Sequence, residues 1–367
     1  MRYVRTNSCL SARRIRHALL GALIALAASS AGAQQTSEAA RLPGLSFLEA
    51  LGAPHAKDLA AVERGEVVVW PVAGADRDEV ALVGLMRVAV PRDFYFARTA
   101  NVTAFLSRPG REAFGVLGSP PTLADFASMK LDPSDAAGIR KCRVSHCSIK
   151  LPEQQMTLMA DALAPHHDDR SSPADSLMRE WLFALVTDYR ARGDAALPVY
   201  DDTRPAERSA SGFRQLLAAD APMFRDAPTF ASYLAESPAH PVAGATSTIF
   251  WAVDRKPGLK PILSLSRLST FRGAGPGAPM FVATKQLYAS HYFDAWLDVE
   301  SLVAGPAPEP STYVAFVRRV RFDKLPSRGL FDVRGRVVRQ LRDALHEELT
   351  STRQSVHAAF EASEHSE

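Results

Sequence analysis

The spacing of apolar positions changes along the chain, and each change marks a different kind of element. Residues 65–72, GEVVVWPV, and 79–90, EVALVGLMRVAV, are apolar, β-branched runs parted by the turn-like AGADRD, so they predict a hairpin. Pro91 stops the second strand, and RDFYFARTANVTAFL behind it predicts a helix. From about Pro120 to Pro241 the apolar residues recur at helical spacing. In DSLMREWLFALVTDYRARG, Leu177, Trp181, Leu182, Leu185 and Val186 share one helix face, and Gly193 can cap the end. PTLADFASM, LPEQQMTLMADAL and the stretches 213–217 and 230–234 predict further helices, before prolines at 222, 228, 238 and 241 close the region.

The period then returns to two. TSTIFWAVD, PILSLSRLSTF, MFVATKQLYASHYF, WLDVESLVA and STYVAFVRRVRF predict strands, and DRKPGLK, RGAGPGAP and GPAPEP are short, Gly- and Pro-rich connections. Sequential strands joined this way favour an antiparallel meander. From Asp332, Val333, Val337, Leu341, Leu345 and Leu349 recur every four residues with Val338 beside them, which predicts one long amphipathic helix. The expected class is therefore α+β: an antiparallel sheet with a long C-terminal helix. The expected organisation is a linker or helix at 34–60, one domain over 61–360 with a helical insertion at 120–241, and a disordered tail at 361–367. A helix covers only a strip of one sheet face, so the remainder of that face predicts a cavity.

The N-terminus changes the charge balance. A basic stretch ending at Arg16, an apolar run over 18–28 and Ala31-Gly32-Ala33 have the form of a secretory signal peptide at 1–33, with cleavage expected after Ala33. The route expected is the general secretory one, into the periplasm or beyond. That leader carries Arg2, Arg5, Arg13, Arg14 and Arg16 and no acid, so the formal net charge of +3 becomes −2 without it. A nucleic-acid partner loses its main support. No later apolar run is long enough to span a bilayer, so no transmembrane segment is expected after the leader.

Cys142 and Cys147 remain, in KCRVSHCSIKLP, and an oxidising compartment favours a local disulfide between them. His146 raises a zinc alternative, against which stands the absence of a fourth ligand at framework spacing. His166 to Asp169, HHDD, reads as a solvated loop, so no metal and no cofactor are expected. The chain lacks a nucleophile elbow, a His-Glu-x-x-His motif, a phosphate-cradling glycine loop and a dinucleotide fingerprint.

The order hairpin, helices, meander and terminal helix resembles the START-like, or helix-grip, superfamily of lipid-transfer domains, the major birch-pollen allergen and aromatase/cyclases. The residues that carry the resemblance are VGLMRVAVPRDFYFAR and the closing STYVAFVRRVRFDKLPSRGLFDVRGRVVRQLRDALHEEL. It implies a hydrophobic small molecule or lipid held between the sheet and the C-terminal helix. CRVSHCSIKL and YASHYF are also similar to Cys-x4-Cys-x-x-Lys-Leu and Tyr-x-Ser-His-Tyr-Phe elements of uncharacterised exported bacterial proteins.

Strict alternation sets Phe281, Ala283, Lys285, Leu287, Ala289, His291 and Phe293 on one face and Gln286, Tyr288, Ser290 and Tyr292 on the other. Arg319 and Arg321 on the next strand can aim guanidiniums at a carboxylate or phosphate, or pair with local acids such as Asp323. The expected ligand-binding residues are thus Lys285, Tyr288, His291, Tyr292, Arg319 and Arg321. An alternative is an enzyme on the same fold with His291 as general acid or base. A third reading is a cell-envelope assembly factor that uses the helical middle as its contact surface.

Overall fold

The turn-flanked apolar runs fold as strands because β-branched residues pack well on a pleated, half-buried surface. The computed structural model describes residues 43–107, 110–164, 172–202, 207–236, 240–255, 259–323, 325 and 332–365. The expected signal peptide and the HHDD segment therefore lie outside the described residues. Two short helices, α1 (Phe47–Gly52) and α2 (Ala56–Glu63), precede the hairpin of β1 (Val68–Val72) and β2 (Glu79–Val88), in which Trp70 stands opposite Val83. The helix expected behind Pro91 is two helices, α3 (Arg92–Thr99) and α4 (Val102–Leu106). The break falls at Asn101, whose side chain accepts from Ala104 N at 3.0 Å and so starts a new helix.

The strand β3 (Arg111–Val116) is not signalled by the sequence pattern. It is a sheet edge with a central close approach: a Cβ on Gly115 would lie 2.3 Å from the Trp251 indole nitrogen. The helical middle comprises α5 (Pro133–Ile139), α6 (Glu153–Leu163), α7 (Ser172–Arg192), a two-residue hairpin β4 (Val199–Tyr200) and β5 (Glu207–Arg208), α8 (Ser209–Ala219) and α9 (Pro228–Ala235). The meander follows as β6 (Ala245–Asp254), β7 (Ile262–Arg272), β8 (Met280–Ala289), β9 (Phe293–Ala304) and β10 (Thr312–Phe322). The chain closes on α10 (Val333–Glu364), which continues past the point where a frayed tail is expected.

All eight strands of the main sheet are antiparallel, in the order β1-β2-β10-β9-β8-β7-β6-β3. One face carries Val83, Leu85, Phe281, Ala283, Leu297, Val299, Ala315 and Val317 beneath α1, α8 and α9. Further along the same face Trp251, Leu265 and Leu287 lie beneath α6 and α7. The opposite face carries Leu82, Met86, Val314 and Phe316 beneath Leu345, Leu349 and Val356 of α10. That helix rests on β1 and β2 and reaches α3, so it covers one end of the sheet. It sits close because residue 84 is glycine: a Cβ there would lie 2.4 Å from Leu349 Cδ1. No helix among the described residues is long and apolar enough to cross a membrane.

Candidate functional site

The two cysteine- and histidine-bearing motifs meet in space. Cys142 and Cys147 form a disulfide with Cα atoms 4.4 Å apart, so neither thiolate is free for zinc. Three residues beyond, Lys150 donates its backbone N–H to the Ser290 carbonyl at 2.9 Å. Its buried ammonium contacts Asp294 Oδ1 at 2.7 Å and also binds Asp323. Burial, together with the hydrogen bond to Asp323, pushes Asp294 up to about 8. Leu151 accepts from Asp201 N, and Ser145, with φ 66°, donates its N–H to the Asp201 carbonyl. The motifs thus join the helical middle to the sheet.

His291 stands at the end of β8 and is 7% exposed. Its Nε2 lies 2.7 Å from Asp135 Oδ2 at the start of α5, and Lys260 Nζ holds the other oxygen at 2.9 Å. Tyr292, with φ 65°, turns the chain out of the strand, and its hydroxyl accepts from Lys260 N at 3.0 Å. A histidine held by a buried carboxylate through Nε2 has the base-and-orienter form of an acid–base pair, in which the other ring nitrogen, Nδ1, is the one that could act.

Strict alternation fails at one point on β8. Leu265 pairs with Tyr288 and Ser266 with Gln286, so Leu287 is an extra residue in a β-bulge. Tyr288 consequently shares the face of Leu287, packed edge-on to Trp181 of α7 with ring centroids 4.9 Å apart. Ala289 moves to the other side, with Ile262, Phe293 and Val320. The face split expected from sequence is corrected accordingly.

Lys285, 0% exposed, lies on the face under the helical middle and not under α10. Its ammonium binds Asp194, donates to the Leu234 carbonyl at 2.9 Å and stands 3.6 Å from the Phe213 ring centroid. Burial pulls its pKa down to about 7 despite Asp194. Arg319, on the same side, is neutralised by Glu79 at 2.7 Å and by Asp220, which burial pushes up to about 6. Arg321 pairs with Asp76 at 2.6 Å, and Asp323 goes to Lys150 instead. The structure thus brings His291, Tyr292 and Tyr288 to one end of β8 and disperses the rest among internal ion pairs.

A different place combines access with unpartnered guanidinium nitrogens. A cleft of about 360 Å³ opens between the end of β2 and the C-terminal half of α10, lined by Gly65, Arg87, Val88, Ala89, Arg353, Gln354, His357 and Ala358. The Arg87 guanidinium stands 6.0 Å from the Tyr313 ring centroid, and Tyr313 donates to Glu63 at 2.7 Å. Arg353 reaches over Gly65, where a Cβ would lie 3.6 Å from its Nη1. The Nε atoms of both arginines are buried with no hydrogen-bond partner. Nearby Arg318, by contrast, clasps Asp298 with Nε and Nη2 at 2.9 and 2.8 Å and touches Glu348 at 3.0 Å.

None of the six residues singled out from sequence lines this cleft. Val88 is opposite Thr312 and Ala304, whereas His291 adjoins the other end of those strands, where Phe293 pairs with Phe322. Ten strand residues at ~3.3 Å each put the two regions about 30 Å apart. Sequence offered one weak signal for Arg87, a lone cation inside the apolar run VGLMRVAV. Arg353 had none, because arginines on an amphipathic helix ordinarily face water. No family model matches the chain, and no curated protein or solved structure matches it.

Proposed function

We propose that the protein is exported and binds an amphipathic anion, an acyl carboxylate or alkyl phosphate. The head lies between Arg87 and Arg353, and the tail runs along Val88, Ala89 and Ala358. One observation carries the reading: two arginines with buried, unpartnered Nε atoms line a single open cleft at the end of β2 beside the C-terminal helix. A buried donor left without an acceptor is unfavourable, and a bound oxyanion relieves it with charge-assisted hydrogen bonds. Each methylene buried beyond the head adds about 0.8 kcal/mol. A START-like grip, with ligand between sheet and terminal helix, is consistent with this site. The Cys142–Cys147 disulfide supports an oxidising compartment.

Isothermal titration of decanoate and decyl phosphate into the protein tests the reading. Saturable binding is expected, weakened at least about tenfold in Arg87→Ala/Arg353→Ala, the size of a lost charge-assisted contact. Equal affinity in that variant, or no binding to the wild type, removes the proposal. The variant's melt is expected to stay close to that of the wild type, because the buried Nε of each arginine has no hydrogen bond to lose. Native mass spectrometry of protein from its own host, followed by solvent extraction, would identify any resident amphiphile.

A further inference from the structure

A second, enclosed arrangement lies between the sheet and the helical middle. Arg267 of β7 stands directly opposite Lys285 of β8, beneath the helical middle, and is 0% exposed. Its Nη1 donates to the Tyr189 hydroxyl at 3.1 Å and to the Glu236 carbonyl at 3.3 Å, and its guanidinium carbon is 4.2 Å from the Tyr233 ring centroid. Nε and Nη2, the adjacent donors of the guanidinium's side, are sealed from solvent and meet no acceptor. In Arg318 and in Arg111 this same edge clasps a carboxylate, Asp298 and Asp254 respectively. Two residues along the same strand face, Ser269 Oγ is also buried and unpartnered.

No carboxylate answers that edge. Asp194, which adjoins the group, binds Lys285 through Oδ1 and makes no hydrogen bond to Arg267. Tyr189, Tyr233 and Ser247 supply neutral hydroxyls, with Tyr233 donating to Ser247 at 2.9 Å. A buried guanidinium whose fork is unanswered is among the more unfavourable features a core can hold. Two parallel N–H groups fit two oxygens of one oxyanion, and full enclosure limits that anion to a small one such as a planar carboxylate.

We propose that the Nε–Nη2 edge of Arg267, with Ser269 Oγ, is an internal binding site for a small planar oxyanion of the formate or bicarbonate class. The site is separate from the cleft of Arg87 and Arg353, whose lining includes none of its residues. A bound anion completes the hydrogen bonding of the Arg267 edge and so stabilises the seam between the sheet and the helical middle.

Thermal unfolding at constant ionic strength, with sodium formate replacing sodium chloride, is the test. The midpoint is expected to rise with formate concentration as a ligand bound only by the native state requires. Arg267→Lys, which keeps the charge and removes the fork, is expected to lose the rise, while Arg87→Ala/Arg353→Ala keeps it. Should Arg267→Lys fail to fold, the Arg267 Nε–H resonance of ¹⁵N-labelled wild type is expected to shift on formate addition. A formate effect that survives in Arg267→Lys, one that disappears in the cleft variant, or an Nε–H resonance indifferent to formate overturns the site.

Discussion

Lys150 Nζ lies 2.7 Å from Asp294 Oδ1, and this contact ties the segment after the disulfide to the start of β9. Lys150 and Asp294 are 2% and 3% exposed at their side chains, so little solvent screens the pair. Lys150→Met would leave two adjoining carboxylates without their cation. Breaking one side of a buried pair typically costs about 3–5 kcal/mol. Urea unfolding is expected to show a loss of that order, and a loss below about 1 kcal/mol would mean that the triad is as dispensable as a surface pair.

His291→Ala removes the group that satisfies Asp135 Oδ2, leaving that carboxylate to Lys260, whose side chain is 41% exposed. A destabilisation of about 1–3 kcal/mol is expected, as for a buried acceptor that loses its donor. Decanoate affinity should stay at the wild-type value, because the histidine is at the far end of the strands from the cleft. The opposite pattern, an unchanged melt with lost affinity, would return His291 to a ligand-binding role.

Gly84 sets how closely α10 approaches the sheet. A Cβ at this position meets Leu349 Cδ1 at 2.4 Å, so Gly84→Ala overpacks the contact. Overpacking of this kind typically costs about 1–3 kcal/mol. Leu349→Ala added to Gly84→Ala should restore part of that loss, since the second change removes the clashing atoms. A double mutant whose loss is the sum of the two single losses would show that Gly84 and Leu349 act independently.

Glu300 gives the seam under α10 a pH dependence. Burial pushes its carboxyl from 4.5 up to about 8, the Tyr95 hydroxyl at 3.2 Å acts in the opposite sense, and Glu348 and Asp298 raise it further. The native state therefore keeps a proton that the unfolded chain releases. This contribution to stability is fully present below about pH 4.5 and is lost as the pH climbs through about 8. Glu300→Gln, which mimics the protonated group, should flatten that slope and be the more stable form near pH ~9. Urea midpoints that fall equally in both proteins between about pH 5 and about pH 9 would assign the slope to other groups.

The hairpin, the meander and the terminal helix were legible because each is written in local periodicity. Val333 to Leu349 at steps of four can only make a stripe if the segment is helical, and TSTIFWAVD can only alternate if it is extended. REAFGV escaped notice because it is short and contains a glycine whose value lies in admitting Trp251 from a neighbouring strand. The C-x4-C and YASHYF motifs were visible as chemistry, yet their meeting through Lys150 and Ser290 was not.

By itself, the sequence determined the element types, the α+β class and the local Cys142–Cys147 disulfide, since each depends on residues a few positions apart. Only the tertiary structure decided which charges are spent. Arg319 meets Glu79 across 240 positions, Lys285 meets Asp194 across 91, and the bulge at Leu287 turns Tyr288 to the face that strict alternation denies it. Long-range pairing has no period to read. The same reason hid Arg87 and Arg353, which become a candidate site only because the fold brings β2 and α10 together and leaves the buried Nε of each without an acceptor.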